Sequence, residues 1–245
     1  MNAPAIDTIE SSWARLGILL NCAPSEETPD LERLLLGTAR RVRGNARLLP
    51  LVVTWLGLYG SFVARHRLRR LVRSELEPEH RPALALILES AIAHGATKDL
   101  RIVFDECERA GAPGPLHDVH RASTALRDVA ERNASERSRE WGVWTPEFDP
   151  KPDAIRPVSW LLDRNPEYRR RIVRKGDLRA SILEALLWDG EGGVLSSEAE
   201  VARQCGASRR ATKQALEALE MEGEIETTDG CSGRNGCPVR VARAA

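Results

Sequence analysis

The sequence predicts a mainly α-helical fold with a small two-stranded β element near the C-terminus. Leucines recur at helical spacing through the first half, which shows no strand-like alternation. Two short segments, 224–228 and 238–242, are typical of strands. A chain of 245 residues is long enough for two modest domains with buried cores. The expected divisions are an N-terminal segment at 1–27, a helical bundle at 28–140, a proline- and tryptophan-rich connector at 141–175 and a C-terminal domain at 176–245.

The helices of the first half are predicted in order along the chain. A short helix is expected around 13–20, and Thr28 with Pro29 is expected to cap and begin the next one, over 31–43. Further helices are predicted at 48–72, 82–94 and 99–110. Their leucines would form the core of the bundle.

The uncharged segment at 48–64 is the part of the sequence that most resembles a membrane-spanning helix. It has seventeen residues and includes Pro50 and Gly57, whereas a span needs about 20 apolar residues. A buried helix is therefore favoured over a membrane span. The first fifteen residues lack a signal-peptide pattern, and the five scattered cysteines fit a reducing compartment. We expect a cytoplasmic protein with no membrane partner.

The charges are balanced overall but unevenly distributed. The chain has 36 basic and 36 acidic residues, so a protein that coats nucleic acid through a general positive field is excluded. Five arginines cluster after the apolar helix, at positions 65, 67, 69, 70 and 73. They could hold phosphates, pair with the acidic stretch that follows them, or interact favourably with the negative C-terminal end of the helix.

A polar helix is predicted from Leu116 to Trp141. Its apolar stripe comprises Val119, Ala122, Leu126 and Val129, near a 3.5-residue period. The stripe could bind a partner helix across a homodimer, or it could pack on its own bundle. After it, 141–158 is predicted to be an ordered strap, and Asn165 to cap another short helix.

The C-terminal domain shows a helix-turn-helix pattern. A first helix at 179–188 carries four apolar residues on one face, and a glycine-rich turn at 189–193 follows. Ser197 and Glu200 predict a capping box that starts a second helix, which ends at Gly206. Ser208 then caps a third helix that runs to about Glu222. Two helices joined by a three-residue turn are typical of this motif.

This arrangement resembles the winged helix-turn-helix domain of bacterial transcription regulators, over the C-terminal quarter only. The residues that carry the resemblance are Ala199, Val201 and Ala202 in the second helix, Ala207-Ser208 in the turn, the segment at 215–220, and Gly223-Glu224-Ile225 before the first strand. The resemblance implies that the third helix enters the major groove of DNA. The loop at 229–237 would then be the wing.

The side chains of the third helix divide into two faces. Alanines and leucines lie on one side, and the polar side carries Arg209 at its edge with Arg210, Lys213, Gln214 and Glu217. Arginine can bind guanine, glutamine can bind adenine, and lysine suits phosphate. The predicted DNA-binding residues are Ser208, Arg209, Arg210, Lys213 and Gln214, with Arg234 and Asn235 in the wing. The other interpretation is an ordinary solvated helix face, and the later Glu217, Glu220 and Glu222 would repel phosphate, so contacts should concentrate in the first two turns.

The expected function is that of a DNA-binding transcription regulator, without a cofactor, a metal or enzymatic activity. No nucleophile, phosphate-loop or metal-ligand motif is present. Two alternatives stay open. One is a protein–protein adaptor, such as an antitoxin or defence component that docks through the winged helix, and the other is a nucleic-acid enzyme with its centre in the first half.

Cys231 and Cys237 flank the wing; they could be unreactive, form a redox switch, or bind a metal with Cys205.

Overall fold

A computed structural model describes residues 8–108, 111–173, 177–227 and 238–242. The chain forms two compact units, Met1–Glu167 and Tyr168–Ala245. The first unit includes the segment before residue 28, and the division between the units falls inside the predicted connector. The predicted wing residues Arg234 and Asn235, together with Cys231 and Cys237, lie outside the described residues.

The described chain is mainly helical, as predicted. The α-helices are Ile9–Arg15 (α1), Leu31–Arg41 (α2), Leu48–Tyr59 (α3), Arg65–Glu75 (α4), Arg81–Ala93 (α5), Thr124–Arg132 (α6), Glu136–Glu140 (α7), Val158–Arg164 (α8), Glu167–Val173 (α9), Leu178–Asp189 (α10), Glu198–Cys205 (α11) and Arg209–Met221 (α12). Short 3-10 helices lie at Gly60–Phe62, Pro78–His80, Lys98–Glu106, Asp118–Arg121 and Pro152–Ala154. The strands are Gly114–Pro115 (β1), Val143–Trp144 (β2), Val194–Leu195 (β3), Ile225–Thr227 (β4) and Val239–Val241 (β5).

The core of the first unit is built from α2 to α5 and closed by α1. The indole of Trp13 lies edge-on to Trp55, with 5.4 Å between the ring centroids. Its Nε1 donates to Thr38 Oγ1 over 2.8 Å, and Trp55 Nε1 donates to the Leu16 carbonyl over 2.8 Å. Because both buried indole donors are satisfied, these large rings fill the interior without the cost of an unpaired polar group. None of the described helices is both long and apolar enough to cross a membrane.

Several predicted helices of this unit were wrong in their bounds or type. The helix expected around 13–20 lies at Ile9–Arg15, and the helix expected at 99–110 is a 3-10 helix at Lys98–Glu106. Asp30, and not Thr28, caps α2, because its Oδ1 accepts from the backbone N of Arg33 over 3.3 Å. The helix predicted at 48–72 is interrupted after Tyr59 by a 3-10 turn. There the backbone N of Ala64 donates to Glu32 Oε1 over 2.8 Å, so that it leaves the helical hydrogen-bond ladder before α4 begins.

The single helix predicted at 116–141 was also wrong. Ser123 and Ser135 each accept a hydrogen bond from the backbone N three residues later, and these caps start two separate helices, α6 and α7. Among the apolar stripe residues, Val119 is 62% exposed, and Leu126 and Val129 are each 38% exposed. The stripe therefore does not pack into the core of its own unit.

The clustered arginines pair with acids. Arg65 binds Asp99 (2.5 Å), Arg67 binds Glu32 (2.7 Å), and both Arg69 and Arg73 bind Glu106 (2.9 and 2.5 Å). Arg67 also binds Asp30. The predicted pairing with the acidic stretch that follows is confirmed for Arg65, Arg69 and Arg73, whereas Arg67 pairs with acids that precede the cluster. Acidic side chains of the same unit therefore neutralise the positive charge of these arginines.

The second unit packs three helices against a small sheet. Residues from α10, α11, α12 and the sheet form one apolar cluster, which includes Ile182, Leu186, Val201, Leu216 and Val239. The sheet has the strand order β3-β5-β4 and is antiparallel, with Leu195 opposite Val239 and Ile225 opposite Val241. The two predicted strands are present, but the sheet has three strands and not two. The sequence did not reveal β3, because a strand of two residues has no readable periodicity.

Candidate nucleic-acid interface

The second helix of the motif, α11, is held at its start by local hydrogen bonds. Ser197 Oγ accepts from the backbone N of Glu200 over 3.2 Å, which is one half of the predicted capping box. The other half was wrong, because the Glu200 carboxylate accepts from the backbone N of Ser196 over 3.1 Å and from the Ser196 hydroxyl. These bonds lower the pKa of Glu200, the hydroxyl bond being the larger cause. The glutamate thus fixes the chain one residue before the cap.

The turn between the two helices lies at residues 206–208, as predicted. Gly206 ends α11 with φ of 64°, in the left-handed region that glycine adopts at little cost. Ser208 then caps α12, because its Oγ accepts from the backbone N of Ala211 over 3.2 Å. The chain therefore reverses within three residues and α12 begins at Arg209.

The inner face of α12 attaches it to the unit. Thr212, Leu216 and Leu219 are buried, at the helical spacing of four and three residues. The Oγ1 atom of Thr212 has no hydrogen-bond partner in the part of the chain that the structure describes. Burial along this whole face fixes which side chains of α12 can point outward.

The outer face of α12 brings the predicted DNA-binding residues together. Ser208, Arg209, Arg210, Lys213 and Gln214 are all exposed and lie in the cap and first two turns. Across the described ranges, the long side chains at 209, 210, 213 and 214 make no ion pair or hydrogen bond. We call these four residues, with Ser208, the basic face.

Other cations of the same unit are paired, which sets the basic face apart. Arg170 binds Glu224 (3.5 Å), Arg179 binds Asp177 (2.6 Å), Arg203 binds Glu200 (3.4 Å), Arg240 binds Glu226 (2.7 Å) and Arg171 binds Glu184 (3.0 Å). The charges of the basic face have no such neutralising partner among the described residues. They are consequently available to an external anion.

The charge order along α12 also opposes the helix dipole. A helix is stabilised by acids in its first turn and bases in its last turn, because its N-terminal end carries partial positive charge. The helix α11 follows this rule, with Glu198 and Glu200 in its first turn and Arg203 in its last. The helix α12 reverses it: Arg209 and Arg210 open the helix, and no base lies in its last turn. Each misplaced charge costs about 0.3–1 kcal/mol of helix stability, so this order does not serve the fold.

The far half of α12 carries the acids. Glu217 and Glu220 are exposed on later turns, and Glu222 binds Arg179. The exposed surface of the helix therefore changes from positive to negative along its length. An anion would be bound at the first two turns, as the sequence predicted for DNA phosphates.

The described residues contain no cluster of three or more histidine, cysteine or acidic side chains that could hold a metal ion. Sequence reasoning placed the basic face correctly on the outside of α12, but it could not tell which cations of the unit are already paired. Arg179 and Arg203 pair with acids two and three residues away, but the pairs of Arg170, Arg171 and Arg240 are contacts between different elements, which the sequence does not show.

Comparison of the chain with protein-family models, with curated proteins and with solved structures finds no match.

Proposed function

We propose that the second unit is a winged helix-turn-helix that binds double-stranded DNA, and that the protein is a transcription regulator. The observation that carries the proposal is the basic face: three exposed, unpaired cations at the start of a helix whose dipole they oppose. A helix end of this kind attracts anions through both its backbone N–H groups and its dipole. DNA presents a row of phosphate anions, which several cations and backbone N–H groups at one helix end can bind together.

The order of elements supports the same conclusion. Two helices joined by a three-residue turn are followed by an antiparallel hairpin, β4 and β5, whose connecting loop would be the wing. The first strand, β3, completes the sheet on the other side of β5. The buried face of α12 packs in one apolar cluster with this sheet, which fixes the orientation of the helix as reading of a base sequence requires.

Each member of the basic face has a proposed role. Arg210 reads guanine through two hydrogen bonds, and Gln214 reads adenine in the same manner. Arg209, Lys213 and Ser208 bind phosphates and fix the register of the helix on the duplex. Arg234 and Asn235 are proposed to contact DNA from the wing, with Arg234 in the minor groove. The proposal requires no cofactor and no catalytic step, and it keeps the cytoplasmic location expected from the sequence.

We also propose a homodimer through the exposed stripe of the first unit, defined by Val119, Leu126 and Val129. Two copies would bind two half-sites separated by about one helical turn of DNA, or 34–36 Å. Val119 lies in the 3-10 helix before α6, and the other two residues lie on α6 itself. Exposed apolar side chains grouped in this way form the kind of surface that a second protein chain covers. Leu126 and Val129 lie three residues apart on the same face of α6.

The test is duplex binding by the full chain, measured by fluorescence anisotropy between low and physiological salt. Arg210→Ala with Lys213→Ala should abolish binding, because these changes remove unpaired charges from the basic face. The matched control is Arg203→Ala with Arg240→Ala, which removes the same charge from the same unit at paired positions. Equal loss in both double variants would overturn the assignment of the interface to α12.

The protein–protein adaptor is the second candidate, because the same unpaired cations suit an acidic protein surface. The salt dependence distinguishes the two. DNA binding should weaken with a slope of log affinity on log salt of about −0.9 for each phosphate neutralised. Wild-type protein that shows no saturable duplex binding at low salt would favour the adaptor and reject the regulator.

A further inference from the structure

Glu217 occupies the next position along the exposed side of α12 after the basic face. It lies seven residues after Arg210 and three after Gln214, which is the spacing of one helical face. Its carboxylate is exposed and, in the described ranges, forms neither a hydrogen bond nor an ion pair. Lys213, one turn earlier, does not neutralise it, and a lysine that precedes a glutamate by four residues is the weaker order for such a pair.

The position of Glu217 relative to Arg210 sets where it meets DNA, if the proposed function holds. Seven residues of α-helix rise about 10 Å, which corresponds to about three base steps of 3.4 Å. The major groove is about 12 Å wide and admits a whole helix. A helix that lies along the groove with Arg210 and Gln214 at base edges therefore carries Glu217 to base edges as well.

A carboxylate in the groove needs a donor, because it can only accept hydrogen bonds. Guanine presents two acceptors there and thymine presents one acceptor. Adenine presents its amino donor beside the N7 acceptor, which repels a second carboxylate oxygen, whereas cytosine presents its N4 amino group without an adjacent acceptor. Of the four bases, cytosine therefore offers the best partner for Glu217.

We infer that Glu217 determines sequence specificity by accepting a hydrogen bond from the N4 amino group of a cytosine. This cytosine lies about three base pairs from the guanine that Arg210 contacts, in the direction of the C-terminal end of α12. The inference rests on the proposed function. It assigns the exposed Glu217 carboxylate to the recognition of one base pair and not merely to the repulsion of phosphates.

The experiment is selection of bound fragments from randomised duplex DNA by the full chain. Wild type is compared with Glu217→Ala and with Glu217→Gln. The charge control is Glu198→Ala, since Glu198 is an exposed acid of α11 with no partner among the described residues. Wild type should select a cytosine at one position, and Glu217→Ala should lower the preference for that base by about tenfold. Glu217→Gln should shift the selected base at that position towards adenine, the partner of a carboxamide.

The control should leave the selected sequence unchanged, whatever it does to affinity. If Glu217→Ala keeps the wild-type sequence preference at every position and only binds all duplexes more tightly, Glu217 merely repels phosphate and the inference is wrong. If wild type selects no sequence and shows no salt-dependent duplex binding, the proposed function itself fails. These two results are distinguished by the wild-type selection alone.

Discussion

The guanidinium group of Arg171 binds the carboxylate of Glu184 at two points in the interior of the second unit. Arg171 Nε lies 3.0 Å from Glu184 Oε1, and an Nη atom contacts the other oxygen. The side chains are only 5% and 9% exposed, respectively. The guanidinium also lies 5.0 Å from the centre of the Tyr168 ring. This pair joins α9 to α10, the helix that packs against both α11 and α12.

Breaking this pair should strongly destabilise the second unit. Arg171→Ala leaves the buried Glu184 carboxylate without its guanidinium partner and should cost about 3–5 kcal/mol of unfolding free energy. The double change Arg171→Met with Glu184→Leu should recover most of the loss, because it buries no charge. The measurement is urea unfolding, with hydrogen exchange of the α10 amides to report on this unit. Arg240→Ala, at an exposed pair, should cost less than about 1 kcal/mol, and a similar cost for Arg171→Ala would contradict the prediction.

The cations of the basic face should lower the stability of the second unit while they increase its affinity for duplex DNA. Arg209→Glu with Arg210→Glu places acids at the start of α12, where the helix dipole favours them, and each change should stabilise the unit by about 0.3–1 kcal/mol. The same variant should lose duplex binding. Thermal unfolding and anisotropy on one preparation measure both effects. The converse control is Glu198→Arg, which should destabilise α11 by a similar amount. Loss of binding accompanied by a lower unfolding temperature would show that the variant simply unfolds.

Glycine should be required at position 206 because of the backbone conformation of the turn, and not because a larger side chain would clash with neighbouring atoms. An added Cβ there meets no atom within 4 Å, but its φ is +64°. Gly206→Ala should therefore cost about 1–2 kcal/mol through conformational strain alone. Gly206→Asn should cost less, since asparagine visits this conformation more readily. Chemical denaturation of both variants measures the difference, and equal stability of the alanine variant and wild type would show that the turn adopts another conformation.

Acid should weaken the first unit through Glu106. The hydrogen bond from Arg73, followed by that from Arg69, lowers the pKa of Glu106 from 4.5 to about 2. Because the folded-state pKa lies below the unfolded-state value, the stabilisation is present above pH 4.5 and is lost as the pH falls towards 2. Unfolding free energy measured across this window should fall less steeply in Glu106→Gln than in wild type. Glu140→Gln, an exposed acid with no ion pair in the described chain, should keep the wild-type slope.

The exposed stripe should control the oligomeric state. Leu126→Asp with Val129→Asp adds charges to side chains that are already partly exposed, so the fold of the first unit should be retained. Sedimentation velocity should show a dimer for wild type and a monomer for the variant. Duplex binding by the variant should lose its preference for paired half-sites. A wild-type protein that sediments as a monomer at micromolar concentration and on DNA would reject the homodimer.

Local signals made much of the second unit predictable. The capping serines Ser197 and Ser208, and the glycine between them, place the ends of α11 and α12 within a residue of the structure. The sequence predicts an inner face of α12 made of Ala211, Ala215, Ala218 and Leu219, flanked by Thr212 and Leu216. In the structure the buried residues are Thr212, Leu216 and Leu219, so the centre of this face is shifted, but the polar face is the one predicted. These features were predictable because caps, turns and helical faces depend on residues within about four positions of one another.

Contacts between distant segments were not predictable in the same way. The break before α4 depends on Glu32, which accepts a hydrogen bond from a backbone group 32 residues later. The third strand, β3, exists only because it pairs with β5 at the other end of the unit. The pairing of the clustered arginines was left open for the same reason, since their partners lie more than 30 residues away along the chain.

The sequence by itself determined the mainly helical class, the two capped helices and the composition of the outward face of α12, because hydrogen bonds and side-chain spacing within a few residues fix them. Only the tertiary structure decided which charges are free. Arg170 and Arg210 are the same residue type in one unit, yet Glu224, 54 residues further along the chain, lies 3.5 Å from the first, whereas the second has no partner among the described residues. An ion pair depends on distance in space, which the order of residues does not contain.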